Sequence, residues 1–152
     1  MTIEFDSTAD TLEHIGKVQE RLKEIRDHLR IRGNGHDSSK LREPEKSGFD
    51  MLTPKLASLV YGSDEYRAAL AEAKPVIDHH YAANSHHPEH YENGIAGMSL
   101  LDLVEMLCDW KGASERTKQG SIAQSLEHNR QRFAINGQLY SILVNTVKEL
   151  EW

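Results

Sequence analysis

His36 and Asp37 stand side by side in this chain, and Lys40 follows three residues after Asp37. The wider order of candidate ligands is His14, then His36–Asp37, then His79, His80, His86 and His87, then Asp109. Imidazole and carboxylate are the side chains a divalent metal takes when it must also keep a position open for water. An adjacent His and Asp leaving one helix turn, joined by ligands from other helices, could surround such an ion from several sides. The stretch from His79 to His90 holds five of the nine histidines.

The elements that would position these residues read as helices almost throughout. Ser7–Thr8–Ala9–Asp10 reads as a capping box, opening a helix with the apolar stripe Leu12, Ile15, Val18, Leu22, Ile25 and Leu29. Gly33–Asn34–Gly35 is expected to end it in a loop, which places His36–Asp37 at the start of the next element. A short helix is expected through Lys40 to Glu43, before Pro44. Thr53–Pro54 reads as the cap and first position of a helix to Tyr61. Ser63–Asp64–Glu65 caps a helix to His80, bent by Pro75. Residues 81–97 read as a loop, and Ser99 with Asp102 as a second capping box, opening an apolar helix through Leu107 and Trp110. Two more helices are expected at 121–132 and 137–150. No strand, repeat or low-complexity segment is legible. The expectation is one all-α domain over residues 1–152.

Successive helix residues turn by about 100°, so His14 lies roughly 40° from Val18, on the border of its stripe. His80 continues the stripe of Leu70, Ala73 and Ile77, while Asp102, Glu105 and Asp109 share one helix face. Charged groups on apolar helices are costly to bury unless paired or metal-bound. Each position taken alone has an ordinary reading as a hydrogen-bonded boundary residue, and His28 and His128 are given that reading. Cys108, the one cysteine, is read as core.

The bulk numbers exclude several classes. A net charge of −6 and no Lys/Arg block argue against a duplex nucleic-acid binder, though local basic groups could hold a small anion. A single cysteine allows no internal disulfide and suits a reducing cytoplasm. The N-terminal MTIEFDSTAD lacks the basic and apolar regions of a signal peptide. No apolar run approaches the ~18 residues of a membrane-spanning helix.

The joint order of ligands on an all-α chain resembles the HD-domain superfamily of metal-dependent phosphohydrolases, over about residues 14–109. His14 matches that pattern's first ligand, His36–Asp37 its signature pair in a His-Asp-x-x-Lys form ending at Lys40, and Asp109 its last carboxylate. His86–His87–Pro88–Glu89, with Glu92–Asn93–Gly94 after it, is similar to the His-His-x-Glu…Gly segment of members with two or more metals. The strings HHPEHYENG and LLDLVEMLCDW also resemble a small, uncharacterised, phage-associated branch. The resemblance implies a single-domain HD-like helical bundle with a metal site between helices. Its ligands would be His14, His36, Asp37 and Asp109 for one ion, with His80 and His86 available for a second. The family's intermediate histidines stand farther apart than these do, which favours the one-ion arrangement. The ion would be a divalent transition metal: Mn, Fe, Co, Ni or Zn.

Phosphohydrolysis at such a site uses a metal-activated water, with Asp37 or Glu43 to accept its proton. Lys40, then Lys111 and Arg116, are the cations expected to face phosphoryl oxygens. Trp110, Tyr81 and Tyr91 could stack on a base, although core or rim positions suit them as well. The expected substrate is a nucleotide or another small phosphate ester. Two other readings stand beside this one. The superfamily's di-iron oxygenases share the ligand order, and a catalytically silent relative could bind a nucleotide or a protein. The apolar final helix (Ile135, Leu139, Ile142, Leu143, Val147) serves as core or as the interface of a homo-oligomer.

Overall fold

A computed structural model describes residues 6–60, 62–116 and 118–152. The described residues form seven α-helices and three short 3-10 turns, and no strand. The protein is all-α, as its periodicity implies. It divides between Gly35 and His36 into two units. No helix among the described residues is long and apolar enough to cross a membrane.

The first unit is one helix, α1 (Thr8–Gly35). It starts directly after Ser7, as expected, and Asp6 Oδ1 also accepts from the Thr8 backbone at 3.0 Å and the Thr8 hydroxyl at 2.6 Å. The helix ends within the expected Gly33–Asn34–Gly35 stop, at Gly35, but runs helically through Gly33 and Asn34 instead of looping there, because glycine costs a helix about 1 kcal/mol but blocks nothing sterically. None of the described α1 residues is buried.

The second unit begins with a turn at Asp37, whose φ of 54° is left-handed. Asp and Asn are the non-glycine residues that tolerate that region best. A 3-10 turn over Ser38–Leu41 follows, shorter than the helix expected there. Then come α2 (Glu45–Ala57), α3 (Asp64–Glu72) and α4 (Lys74–Ala83). Pro54 lies inside α2 instead of opening a helix, and the end expected at Tyr61 lies outside the described residues. Packing overrides the proline signal. Leu52 is buried, and a Cβ on Gly48 would come within 2.4 Å of Val76 Cγ2, so α2 runs hard against α4. Pro75 breaks the predicted long helix where a bend was expected. Its ring cannot follow the carbonyl four residues back, so α3 closes through Ala73 N to Ala69 O and α4 restarts at Lys74.

The loop after α4 holds two 3-10 turns and leads to α5 (Leu100–Ser114), α6 (Ile122–Arg132) and α7 (Gly137–Glu149). The Ser99–Asp102 capping box is present, and Ser121 and Asn136 cap α6 and α7 through their side chains. These three helices enclose the main core: Leu107, Ile122, Leu126, Ile135, Leu143 and Val147, with Trp110 stacked on Phe133 at its edge. Ile142, read with that stripe, is instead exposed. So is Cys108, because the inner face of α5 is taken by Met106 and Leu107 and the next residue turns away. Leu126 is 2 % exposed, so Leu126→Ala is expected to cost about 3 kcal/mol in urea unfolding through cavity formation.

Candidate metal centre

The second unit gathers His36, His80, His86 and His87 around Asp37. The left-handed turn at Asp37 is pinned by Lys40 N donating to the Asp37 carbonyl at 2.9 Å. The carboxylate thereby presents its two oxygens in different directions. Oδ1 lies 3.3 Å from His80 Nε2 and 3.5 Å from His86 Nε2. Oδ2 accepts from Lys40 Nζ at 2.6 Å and lies 3.8 Å from His36 Nε2. His87 completes the inner group, its Nε2 3.0 Å from His80 Nε2.

Asp37, His80, His86 and His87 thus bring one ligand atom each into a single small space. Four ligand atoms ~2.1 Å from an ion stand ~3.4 Å apart in a tetrahedron and ~3.0 Å apart along an octahedral edge. The distances of 3.0, 3.3 and 3.5 Å fall on that scale. Asp37 Oδ1 and His86 Nε2 are moreover buried without any hydrogen-bond partner. Two such atoms facing each other are costly unless something binds both. The donor set is one carboxylate and three imidazoles, which suits borderline transition metals better than Mg or Ca. The residues present therefore fit a divalent transition metal.

Outside this group, carboxylates turn the rings. Glu105, from α5, places Oε1 2.9 Å from His36 Nδ1 and 3.1 Å from His86 Nδ1. Although His36, His86 and Glu105 are close enough to be read as a second ligand group, the distances are those of hydrogen bonds from the outer nitrogens. Glu45, at the start of α2, receives His79 Nδ1 at 2.8 Å and His80 Nδ1 at 2.9 Å. Carboxylates placed this way orient metal-binding histidines. Asn84, capping α4, donates to the His80 carbonyl and to Ser39 Oγ, both at 2.8 Å.

Electrostatics favour ligand protonation states. Burial acts to raise the Asp37 carboxyl, but Lys40 and the neighbouring histidines outweigh it and hold it below the usual range. Burial, reinforced by His86 and His80, pushes His87 down to about 3. Burial also lowers His86, more than Glu105 raises it. Neutral imidazoles need no deprotonation before binding a metal.

Of the positions read from sequence, Asp37, His80 and His86 meet in the inner group. His36 and Asp109 adjoin it, with His36 Nε2 3.7 Å from Asp109 Oδ1. His14 is exposed on α1, in the other unit. Lys40 pairs with Asp37. Glu43 is exposed and accepts from Ser47 at 2.7 Å, and the carboxylate that reaches the histidines is Glu45, two residues on. Lys111 pairs with Glu115 at 2.9 Å and lines another cavity beside Ser121 and Trp152. Arg116 is exposed. Tyr81 lies against His87 at 4.9 Å between ring centres, and the Tyr91 hydroxyl donates to Asp102.

His87 was legible only as one of a pair with His86. Glu45 was not singled out by the sequence, and Glu105 was marked only by sharing a face with Asp102 and Asp109. Among known proteins, the model of a family of unknown function, DUF5662, matches residues 3–149. No curated protein and no solved structure matches the chain.

Proposed function

The chain belongs to the DUF5662 family, and since that family's function is unknown we propose one from the site: a metal-dependent phosphohydrolase acting on a nucleotide or similar small phosphate ester. The observation that carries the metal is the buried, partnerless pair Asp37 Oδ1 and His86 Nε2, 3.5 Å apart beside two further imidazole nitrogens. The reaction class is supported by the residue order His14, His36–Asp37, Lys40, paired histidines, Asp109, which resembles the HD superfamily, although His14 lies on α1 outside the inner group.

A divalent ion held by Asp37, His80, His86 and His87 would supply Lewis acidity and a bound water that ionises near neutral pH. The chain's own residues supply the rest. Lys40 stands at the outer oxygen of Asp37 with about a third of its side chain exposed, where its ammonium can meet a phosphoryl oxygen. His36 and Asp109 are similarly part-exposed and form the open side of the cluster. Glu105 directs His36 Nδ1, so His36 Nε2 is the atom that faces that side and can take or give a proton. The buried histidines behind Asp37 keep water from its inner oxygen.

One observation favours a second reading. Asp37 faces histidines from both oxygens, with His80 and His86 at Oδ1 and His36 at Oδ2. A carboxylate with histidines at both oxygens would suit two ions, as a di-iron oxygenase requires, once Lys40 gave up Oδ2.

Apo protein reloaded in turn with Mn, Fe, Co, Ni and Zn separates the readings, assayed by phosphate release from nucleotides and by chromogenic phosphomono- and diesters. Turnover with at least one metal, abolished by chelator and restored by re-addition, is expected. Nucleotide binding without turnover under every metal would contradict the hydrolase and leave a silent binding protein. Two irons per chain with a mixed-valent absorption band would move the assignment to the oxygenase.

A further inference from the structure

Glu45 is fully buried at 0 % exposure. Among the described residues no lysine or arginine pairs with it. A carboxylate stripped of water is tolerated only when hydrogen bonds and compensating positive charge surround it. Its donors here are Ser39 Oγ at 2.8 Å, His79 Nδ1 at 2.8 Å on Oε1, and His80 Nδ1 at 2.9 Å on Oε2.

An ionised carboxylate only accepts, so a ring nitrogen facing it must carry the hydrogen. For a neutral His80 that puts the proton on Nδ1 and the lone pair on Nε2. The lone pair then faces Asp37 Oδ1 at 3.3 Å and His87 Nε2 at 3.0 Å. Asn84 Nδ2 also lies 3.0 Å from His80 Nδ1, but its two hydrogens have shorter partners in Ser39 Oγ and the His80 carbonyl, both at 2.8 Å. Glu45 is thus the group that decides which nitrogen of His80 is bare. It sits one bond network away from the place where a cation would balance its charge.

We propose that Glu45 is a positioning residue of the metal centre: through the His80 Nδ1 hydrogen bond it fixes the ligand tautomer of His80 and strengthens its hold on the ion. The proposal rests on the metal-centre reading above. It also distinguishes the two adjacent histidines. His79 uses the other carboxylate oxygen and is half exposed, so it steadies Glu45 without joining the ligand group.

The test uses the full chain in three forms: wild type, Glu45→Gln and His79→Ala. Each is titrated with Zn against a chromophoric competing chelator. Glu45→Gln is expected to weaken Zn binding about 10- to 100-fold, the usual effect of removing a histidine's carboxylate partner. It should also shrink the Zn-induced rise in Tm by mass action. His79→Ala, which removes one donor to Glu45 but leaves the Glu45–His80 bond, should weaken binding less than Glu45→Gln does. On metal-free wild type, long-range 1H–15N correlation should find His80 protonated at Nδ1, a readout that needs no variant to fold. Wild-type affinity in a folded Glu45→Gln, or a proton on His80 Nε2, would overturn the role of Glu45 and leave the metal centre standing. A wild type that binds no Zn would overturn both.

Discussion

Asp37→Asn is expected to reduce metal-dependent turnover by about 10³-fold or more, because a metal ion at a reacting phosphoryl group contributes several kcal/mol to transition-state stabilisation. Asparagine is the informative replacement. It accepts the left-handed backbone that Asp37 adopts at φ 54°, so the turn that positions the cluster survives. What is lost is the charge. The inner oxygen no longer offers a full negative charge beside His80 and His86, and the ion pair with Lys40 disappears. Lys40 and nearby histidines hold the Asp37 carboxyl low against the effect of burial, so wild type presents a charged carboxylate in the neutral range where the variant presents a neutral amide. The measurement is kcat/KM at saturating metal, with far-UV circular dichroism to verify folding. Turnover within about tenfold of wild type in a folded Asp37→Asn, a difference of only ~1.4 kcal/mol, would remove Asp37 from the chemistry.

A stability effect as large as that of Leu126→Ala, but dependent on pH, is expected at Asp102. Its buried carboxylate accepts hydrogen bonds from the Ser99 backbone at 2.8 Å, the Ser99 hydroxyl at 2.7 Å, and the Ser85 and Tyr91 hydroxyls, both at 2.8 Å. It therefore closes the capping box of α5 and ties to that helix the loop that carries His86 and His87. Asp102→Ala is expected to cost about 3 kcal/mol, from a lost cap and several charge-assisted hydrogen bonds, or roughly a 6–12 °C fall in Tm for a chain of this size. The pH dependence has a definite sign. Burial acts to raise the Asp102 carboxyl, but the bonds from Ser99, Ser85 and Tyr91 prevail and hold it well below the usual carboxylate range. An acid depressed on folding contributes stability above its unfolded value, ~3.9, and that contribution is lost as pH falls below it toward the folded value. Urea unfolding should thus separate wild type from Asp102→Ala widely at neutral pH and progressively less below ~4. A constant gap across that range would assign the effect to packing alone.

How much of this was legible from the sequence depends on the range of the interaction that decides each feature. Ser99–Asp102 predicts its helix because the cap is satisfied within four residues, and the same holds for α6 and α7. Pro54 misled because packing such as that of Gly48 against Val76 outweighs its local cost, whereas Gly33 and Gly35 lie on the unburied α1, where glycine's helix cost alone does not stop the chain. Cys108 misled because an apolar run does not say which residue of the turn faces inward. In the site, periodicity put His80 on an inward face and chemistry singled out Asp37, and the structure brings these two together with His86. The choice of His87, and the carboxylates Glu45 and Glu105 behind the rings, arises from helices that meet only in three dimensions. In the sequence, His79 and His80 are told apart only by that periodicity. Their difference is one of exposure, about half for one side chain and almost none for the other.

The central claim is that Asp37, His80, His86 and His87 hold a transition metal. It is tested most directly by elemental mass spectrometry on protein purified without an affinity tag or chelator, beside His86→Ala prepared in parallel. The account predicts about one or two equivalents of Mn, Fe, Co, Ni or Zn per wild-type chain, and loss of that metal in the variant. Wild-type protein that retains none, and binds none on titration at micromolar concentrations, would contradict it.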